Sequence, residues 1–453
     1  MIIAAILGLV GILVALLVTP WVIHLGEKGW GLDRPDNYRK KHRQPVSRLG
    51  GVPVLFGFLI AVSVVFFFHP EYTTRWLPVL VTVVLMFGLG FWDDLRPLGA
   101  RLKLFCQILI AVLAYCLGLS IESVTYPGSG VSVNLGALGF WVSIFWLISV
   151  PNIVNLIDGV DGLAAGLGAL LLCTLGYVGW SMGQTDVSWV SFSLVGVLLG
   201  FLCFNFPPAR IFLGDGGAYL IGSAVACLSL VSANKGAVAA VILVMMVALG
   251  LPIMDTLFAL VRRAFRGFPL FHADAEHIHH RLQRLGLSER RVVLGLYLVS
   301  AIFSMVALSV LWSQGRTLPI VLGMLFLAMV LMVRYLGYIW SWADLASQVR
   351  RSIERRREVR YALLQASLME LEVERCQSLA EFRVVMIQAL RRVGFVLDEH
   401  INQDRYLNVT LYFVHEESLV LQAPNDLRDS EHWRRLAECF RRPYMMALKR
   451  WQD

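Results

Sequence analysis

Residues 76–92 read WLPVLVTVVLMFGLGFW, a run without a charged side chain that ends directly before Asp93 and Asp94. A helix of about this length can cross a hydrocarbon core roughly 30 Å thick. The whole chain follows the same pattern. Of its 453 residues, 57% are hydrophobic and only 16% are charged, whereas a soluble domain has about 25% charged residues. The sequence therefore predicts a helical bundle embedded in lipid and excludes an ordinary soluble globular protein.

Similar apolar runs occur along most of the chain, and they predict an all-α polytopic membrane protein with about eleven transmembrane helices. The runs lie near residues 2–24, 50–69, 76–92, 103–120, 138–154, 163–182, 188–206, 211–232, 236–261, 293–313 and 317–340. The first run lacks the features of a signal peptide, so we expect a retained helix. The seven cysteines form no CxxC pair, which favours buried thiols over disulfides or a zinc site.

Basic residues are concentrated in alternate loops between these runs. The richest loops are 28–48 and 262–291, whereas the intervening short loops hold only Arg75, Lys235 and Arg316. By the positive-inside rule the basic loops are cytoplasmic, which places the N-terminus outside and the C-terminus inside. The net charge of +8 then reflects topology and lipid contact, and no nucleic acid is expected as a partner.

The composition changes near the end of the last apolar run. We therefore expect a transmembrane catalytic domain at 1–340 and a small cytoplasmic α+β region of unknown role at 341–453. The elements predicted in this region are a helix within Ser341–Leu390, strands at Tyr406–Val414 and Ser418–Gln422, and a last helix near Asp429–Lys449.

The third predicted span ends in adjacent carboxylates, Asp93 and Asp94, and Lys103 follows nine residues after the second of them. Ionisable side chains at the ends of membrane spans are costly and indicate function. Adjacent carboxylates repel each other, so a site that keeps both ionised usually supplies a cation. The pair would hold a divalent ion, or one member would act as a base. Taken alone, the pair is equally consistent with a solvated loop.

A second cluster follows the fifth predicted span in the sequence NIVNLIDGVDG at 152–162. Asn155, Asp158 and Asp161 are three residues apart, so in a helical turn they would share one face. An alternative interpretation, Asp161 as a helix cap, accounts for only one of the three.

A third cluster opens the eighth predicted span with the sequence FLGDGG at 212–217. A glycine-rich turn that carries one carboxylate, Asp215, just before a helix N-terminus suits a phosphate bound through a metal ion.

The large basic loop contains a fourth cluster, His277, His279, His280 and Arg281. These side chains would bind zinc or contact the phosphate and sugar of a nucleotide. Zinc is the less attractive ligand because no cysteine is nearby and the carboxylates suit a harder ion. Without the acidic clusters, surface histidines would be the better interpretation.

The four clusters together indicate phosphoryl transfer on the cytoplasmic side. Carboxylate and amide oxygens suit Mg²⁺, which bridges substrate phosphates, and basic side chains neutralise charge as a pyrophosphate bond is exchanged. A lipid acceptor would explain the membrane spans. A transporter is the main alternative, but transporters place their sites near the bilayer midplane and often show internal repeats. A scaffold protein would not explain the clusters.

In their order and spacing, the clusters resemble those of the polyprenyl-phosphate N-acetylhexosamine-1-phosphate transferases, or glycosyltransferase family 4. This family includes the phospho-N-acetylmuramoyl-pentapeptide transferase and the WecA-type enzymes of O-antigen and teichoic-acid synthesis. The resemblance covers roughly residues 1–340 and includes KHRQPVSRLGG at 41–51. The form HIHHRLQRLG at 277–286 is closer to the WecA-type branch.

The resemblance implies transfer of an N-acetylhexosamine 1-phosphate from a UDP-sugar, UDP-GlcNAc or a derivative, to undecaprenyl phosphate with release of UMP. This reaction starts the synthesis of a lipid-linked cell-envelope glycan such as O-antigen. The resemblance also implies Mg²⁺ as cofactor, with Mn²⁺ as the alternative. The expected location is a bacterial inner (plasma) membrane, with the active site on the cytoplasmic face.

The same resemblance assigns roles to individual residues. Asp93 would be the base that activates the lipid phosphate, Lys103 would contact the pyrophosphate, and Asp215 would bind the metal with Asn155 near it. In full, catalytic roles are expected for Asp93, Asp94, Asp158 and Asp161, metal binding for Asp215 and Asn155, and substrate binding for Lys41, Lys103, Asn155, His277, His279, His280 and Arg281.

The region 341–453 lies outside the family pattern. Its role could be regulation, recruitment of a later glycosyltransferase, or oligomerisation, for example as a homodimer, and the sequence does not decide among these. Its helix, rich in Arg and Glu, could also lie on anionic lipid.

Overall fold

The computed structural model describes most of the chain as two compact units. The described residues are 2–29, 31–33, 46–125, 132–232, 238–257, 282–283, 286–313, 315–335, 342–395, 406–412, 418–424 and 430–452. One unit comprises residues 1–259 and 273–336, and the other comprises 260–272 and 337–453.

The first unit is a helical bundle. Its helices are α1 (Ile2–Glu27), α2 (Gly51–Phe68), α3 (Thr73–Leu95), α4 (Ala100–Cys116), α5 (Ala137–Ile157), α6 (Leu163–Ser181), α7 (Thr185–Asn205), α8 (Gly214–Ser232), α9 (Val238–Ala248), α10 (Glu289–Trp312) and α11 (Leu318–Tyr335). Two short antiparallel strand pairs lie in its loops, β1 (Leu32–Asp33) with β2 (Val46–Ser47) and β3 (Ser123–Thr125) with β4 (Ser132–Asn134).

Within the described part of the chain, eight helices are long and apolar enough to cross a membrane. They are α1, α2, α3 with the turn before it, α5, α6, α7, α8 and α10. The prediction of a helical, multi-pass membrane protein is therefore confirmed. The remaining predicted spans coincide with the 17-residue α4, with α9 and with α11. The count of eleven spans stays a prediction.

Helix α8 lies at the centre of this bundle and is buried over 94% of its apolar window. Its small side chains allow close contact with its neighbours, the usual mode of helix association in membranes. A Cβ added at Gly222 would lie 2.4 Å from the Cα atom of Pro151 in α5. Helices α1 and α7 approach as closely, because a Cβ at Gly196 would lie 1.9 Å from the Gly8 carbonyl oxygen. Glycine therefore sets the spacing of the central helices.

A buried ion pair ties the helices together at the end of α3 that is opposite to Asp93. The Arg75 guanidinium donates to the Asp186 carboxylate at 3.0 Å and to the Val231 carbonyl at 2.9 Å. The Trp76 indole donates to the same carboxylate at 2.9 Å. Asp186 is only 1% exposed, and a buried carboxylate persists when it is paired and hydrogen-bonded in this way. The pair fixes the starts of α3 and α7 to the end of α8.

The second unit has its own hydrophobic core and contains both helices and strands. Its elements are α12 (Trp342–Arg375), α13 (Leu379–Val393), β5 (Tyr406–Tyr412), β6 (Ser418–Pro424), α14 (Ser430–Cys439) and α15 (Arg441–Gln452). Strands β5 and β6 pair antiparallel. The predicted last helix is two helices that meet at Phe440, and Pro443 lies in the first turn of α15, where proline is tolerated.

The start of α13 follows directly from its sequence. The Ser378 hydroxyl accepts a hydrogen bond from the Glu381 backbone N–H at 3.2 Å, and the Glu381 carboxylate accepts one from the Gln377 N–H at 2.8 Å. The Ser378 side chain thus caps the helix as a serine at the N-cap position typically does, and Glu381 satisfies the N–H group one residue before the cap. The helix ends before Gly394, whose φ of +111° is left-handed backbone that favours glycine.

Candidate active site

Lys103 links two carboxylates that are distant in the sequence. Its ammonium group lies 2.8 Å from the Asp93 carboxylate and 3.1 Å from that of Asp215. Asp93 comes from the last turn of α3, Lys103 from the first turn of α4 and Asp215 from the first turn of α8. All three side chains are partly exposed, at 13%, 21% and 27%. The structure thus brings together three of the residues predicted for the site.

The short α3–α4 connection holds Asp93 in this position. Its second carboxylate oxygen accepts a hydrogen bond from the Leu98 backbone N–H at 2.6 Å. One oxygen of Asp93 is therefore fixed by the loop, and the other faces the lysine.

Asp94 points the other way and caps helix α8. Its two carboxylate oxygens accept hydrogen bonds from the backbone N–H groups of Asp215, at 3.0 Å, and Gly216, at 2.9 Å. The N-terminus of a helix has unpaired N–H groups and a partial positive charge, so a carboxylate is stabilised there. Asp93 and Asp94 are adjacent in sequence but have different local roles. Asp93 pairs with the Lys103 ammonium group, and Asp94 connects the end of α3 to the start of α8.

Two glycines allow this close approach of α3 and α8. A Cβ at Gly90 would lie 2.4 Å from the Asp215 carbonyl oxygen. Gly214 has φ +75°, and a Cβ there would lie 2.2 Å from the Arg48 carbonyl oxygen. Both the backbone conformation and the packing therefore require glycine at 214.

The segment before α2 runs alongside the segment before α8 and brings Arg48 to the site. The Phe212 N–H donates to the Ser47 carbonyl at 2.8 Å, and the Gly50 N–H donates to the Phe212 carbonyl at 3.0 Å. Arg48 is close enough to interact electrostatically with the carboxylates of Asp94 and Asp158. From the sequence alone, Arg48 was only one of many basic residues in the loops.

Asp158 adds a further carboxyl group to this region. Burial raises the pKa of Asp158 well above its usual range, and the neighbouring carboxylates of Asp215, Asp94 and Asp161 raise it further. Arg48 opposes that shift. The site is thus rich in negative charge, and a bound cation would relieve the repulsion.

Asp161 is held in the turn between α5 and α6. Its carboxylate accepts a hydrogen bond from the Ala209 N–H at 2.8 Å and so connects this turn to the α7–α8 loop. The N-cap of α6 is Gly162, without a side-chain cap, so the interpretation of Asp161 as a helix cap is wrong. Helix α5 ends at Ile157, so the shared helical face does not extend from Asn155 to Asp161. Asn155 itself lies half-buried in the last turn of α5.

A buried amide network behind Lys103 was not anticipated from the sequence. Gln107, one turn after Lys103, is 1% exposed, and its side-chain oxygen accepts from the Asn152 amide at 2.8 Å. Tyr219, one turn after Asp215, is 2% exposed and lies beside Gln107. The sequence did contain a sign of this network, because Gln107 and Asn152 both lie within apolar runs. Buried polar side chains need hydrogen-bond partners, so two such residues indicate a contact.

Several predicted site residues lie outside the described residues. These are Lys41, His277, His279, His280 and Arg281. Within the described ranges, no three His, Cys, Asp or Glu side chains are grouped closely enough to hold a metal ion together.

The fold and the cluster together define a class: an integral membrane protein with a centre of carboxylates and a lysine at the end of its spans. The glycosyl transferase family 4 model matches residues 76–233, which include Asp93, Lys103, Asp158 and Asp215.

Three similar proteins extend the match beyond that segment. A probable undecaprenyl-phosphate N-acetylglucosaminyl 1-phosphate transferase of Bacillus subtilis is 34% identical over 325 residues, 72% of this chain and 88% of the relative. A phospho-N-acetylmuramoyl-pentapeptide-transferase of Desulforudis audaxviator is 34% identical over 62% of this chain and 89% of its own length. An undecaprenyl-phosphate alpha-N-acetylglucosaminyl 1-phosphate transferase of Escherichia coli O157:H7 is 25% identical over 72% of this chain and 89% of the relative.

The chain belongs to glycosyl transferase family 4, the polyprenyl-phosphate N-acetylhexosamine-1-phosphate transferases. The resemblance predicted from the ordered clusters is thereby confirmed. The relatives include both the N-acetylglucosaminyl and the pentapeptide transferases, so the WecA-type branch stays a prediction.

Proposed function

We propose that this chain transfers an N-acetylhexosamine 1-phosphate from a UDP-sugar to undecaprenyl phosphate and releases UMP. The observation that carries this proposal is the Asp93–Lys103–Asp215 arrangement, which presents a fixed cation between two carboxylates. Membership of the transferase family decides against the transporter alternative. Two of the relatives described above are named for N-acetylglucosaminyl transfer, which favours UDP-GlcNAc or a derivative as donor.

Lys103 is the residue that we assign to the donor diphosphate. Its side chain is 21% exposed, and two carboxylates fix its ammonium group. A preorganised cation stabilises the negative charge that develops when a phosphate–oxygen bond breaks. The lysine would hold the leaving UMP phosphate as the sugar 1-phosphate passes to the lipid phosphate oxygen.

Asp93 is the proposed base for the lipid phosphate. One oxygen is held by Leu98 N–H, and the carboxylate is kept close to Lys103. A lipid phosphate that approached Lys103 would come within reach of the Asp93 carboxylate, which would take its proton before attack at phosphorus.

We propose a magnesium ion at this site, with manganese as the alternative. Asp215 and Asn155 would hold the ion, because oxygen ligands suit Mg²⁺, and the crowded carboxylates around Asp158 favour an added positive charge. When bound, the ion would neutralise the diphosphate and polarise its phosphorus–oxygen bonds. Asp94 would position Asp215 by fixing its backbone N–H.

The remaining site assignments concern the nucleotide-sugar. Asp158 and Asp161 would shape its pocket, with Asp161 fixing the α7–α8 loop through Ala209. Lys41 and the His277–Arg281 segment would contact the donor from the basic loops. By the positive-inside rule we expect these loops, and so the active site, to face the cytoplasm, and the membrane would be a bacterial inner membrane. A lipid-linked glycan of the cell envelope, such as O-antigen, would be the downstream product.

The direct test is UMP release by purified protein with undecaprenyl phosphate, Mg²⁺ and a panel of UDP-N-acetylhexosamines. The proposal is supported if UMP release requires both the lipid and the metal ion, stops when EDTA is added, and returns with added Mg²⁺ or Mn²⁺. The UDP-sugar that gives the highest rate would identify the sugar that is transferred. No release from folded protein with any donor would contradict it. Glu122→Gln, an exposed acid outside the site, should match the wild type.

A further inference from the structure

The first three turns of α10 support the turn between α5 and α6 that carries Asp158 and Asp161. Ile157 and Val160 lie next to these two residues in the sequence and are buried in a small hydrophobic core. The residues that α10 contributes to this core are Val292, Val293 and Leu296. This core is distinct from the main core of the bundle. Helix α10 therefore packs behind the turn that holds the two carboxyl groups.

Tyr297 of α10 adds a hydrogen bond to the same turn. Its hydroxyl donates to the Gly162 carbonyl oxygen at 2.5 Å, and Gly162 directly follows Asp161 in the sequence. The Tyr297 ring lies against the first turn of α6, where a Cβ added at Gly166 would be 2.1 Å from the ring carbon Cζ. Because both the ring and the hydroxyl are held, Tyr297 fixes the chain immediately after Asp161.

Arg290 of α10 makes a second hydrogen bond, to the α7–α8 loop. Its Nε–H donates to the Pro207 carbonyl oxygen at 2.7 Å. Two residues further along this loop, the Ala209 N–H donates to the Asp161 carboxylate at 2.8 Å. Arg290 and Asp161 therefore bind the same short segment of the α7–α8 loop.

The α5–α6 turn and the α7–α8 loop also touch each other directly. A Cβ added at Gly162 would lie 3.3 Å from the Cα atom of Phe206. Arg290 and Tyr297 are seven residues apart, about two helical turns, so they lie on the same face of α10. One face of α10 thus holds both of the chain segments that the Asp161–Ala209 hydrogen bond joins.

We propose that Tyr297 and Arg290 are positioning residues for the nucleotide-sugar: they hold the Asp161 carboxylate in place and act on the donor through it. This inference rests on the proposed function, which assigns Asp161 to the pocket of the nucleotide-sugar. Displacement of a binding group by even 1 Å is costly when the change that causes it lies far from the reacting bond. The effect should appear in the use of the donor, because neither residue belongs to the Asp93–Lys103–Asp215 centre.

Tyr297→Phe tests the inference, because it removes the hydroxyl and keeps the ring. The Michaelis constant for the UDP-sugar in UMP release should rise about fivefold, the scale of one lost hydrogen bond. The Michaelis constant for the lipid and the turnover at saturating donor should stay within twofold of wild type. A merely structural role would instead lower the active fraction, and hence the maximal rate, with both Michaelis constants unchanged.

Tyr177→Phe is the matched control. The Tyr177 hydroxyl also ties α6 to α10, since it accepts a hydrogen bond from the Trp312 indole at 3.0 Å, but it does so at the opposite end of the two helices. The same chemical change there should leave both Michaelis constants at the wild-type values.

Arg290 is tested in the same assay. Arg290→Gln should raise the Michaelis constant for the donor, whereas Arg290→Lys, which keeps a long N–H donor for the Pro207 carbonyl, should restore it. Arg291→Gln changes the exposed neighbour on α10 and is the control.

Three results would overturn the inference while the wild type releases UMP. These are a wild-type donor Michaelis constant in both Tyr297→Phe and Arg290→Gln, a rise in the Michaelis constant for the lipid instead of the donor, and an equal effect of Tyr177→Phe. A folded wild type that releases no UMP with any donor would overturn the proposed function, and this inference with it.

Discussion

Lys103 is surrounded by groups that hold its charge in place, with carboxylates at 2.8 and 3.1 Å and the buried Gln107 one turn further along the same helix. Its removal would leave Asp93 and Asp215 facing each other without a cation. Repulsion between these carboxylates would shift both side chains as well as remove the contact to the diphosphate.

Lys103→Gln should therefore reduce turnover by about 100-fold or more, the cost of losing one preorganised charge-stabilising group. Initial rates of UMP release at saturating donor and lipid would show this. Lys28→Gln, which alters an exposed lysine outside the described cluster, is the control and should stay near wild type. Turnover of Lys103→Gln within twofold of wild type would remove the lysine from the reaction.

The carboxylates of Asp94 and Asp215 should respond differently to the same substitution. Both Asp94→Asn and Asp215→Asn should abolish turnover and leave membrane insertion intact. Only Asp94→Asn should also lower thermal stability, by about 1–3 kcal/mol, because its amide would leave one α8 N–H without an acceptor. Thermal unfolding in detergent distinguishes the two. Equal stability would contradict the capping role of Asp94, and near-normal turnover in both variants would contradict the metal site.

At the scale of elements, the site depends on how closely α3 approaches α8. The apolar runs in the sequence predicted both helices and placed Asp93, Asp94 and Asp215 at their ends. They did not predict that Asp94 caps α8, because the partner N–H groups lie 121 and 122 residues away. Arg48, Gln107 and Tyr219 were missed for the same reason, since only the packing of the helices brings them to Lys103 and its carboxylates.

Gly90→Ala tests that helix contact. The added methyl group would lie 2.4 Å from the Asp215 carbonyl oxygen, so α3 and α8 would have to separate and turnover should fall at least tenfold, with a lower unfolding temperature. Gly88→Ala is the matched control on the same helix, because nothing lies within 4 Å of a Cβ there. Equal activity of the two variants would show that this contact does not set the site.

At the scale of the whole molecule, the chain combines a family bundle with an additional unit. The Bacillus subtilis relative matches 72% of this chain but 88% of its own length. The compositional change near residue 341 predicted a separate C-terminal region, and the second compact unit of the structure contains that region together with residues 260–272. The exact boundary stays a prediction. The core of this unit, built on α12 and Phe382, was not visible from composition.

Deletion of residues 341–453 should leave turnover measurable, because every described side chain of the candidate site lies in the first unit. UMP release per correctly inserted molecule is the measurement, with insertion checked by protease protection. Complete loss of release in a well-folded, inserted truncation would show that the second unit is part of the catalytic machinery.

The most direct test of the central claim follows the phosphate itself. UDP-GlcNAc labelled at its β-phosphorus, incubated with the protein, Mg²⁺ and undecaprenyl phosphate, should deliver the label to the lipid fraction and leave unlabelled UMP. Lys103→Gln should deliver little label. If the label stays with the nucleotide as UDP while the sugar moves, the reaction is not transfer of a sugar 1-phosphate. If Lys103→Gln transfers as much label as the wild type, the reaction does not take place at the Asp93–Lys103–Asp215 centre.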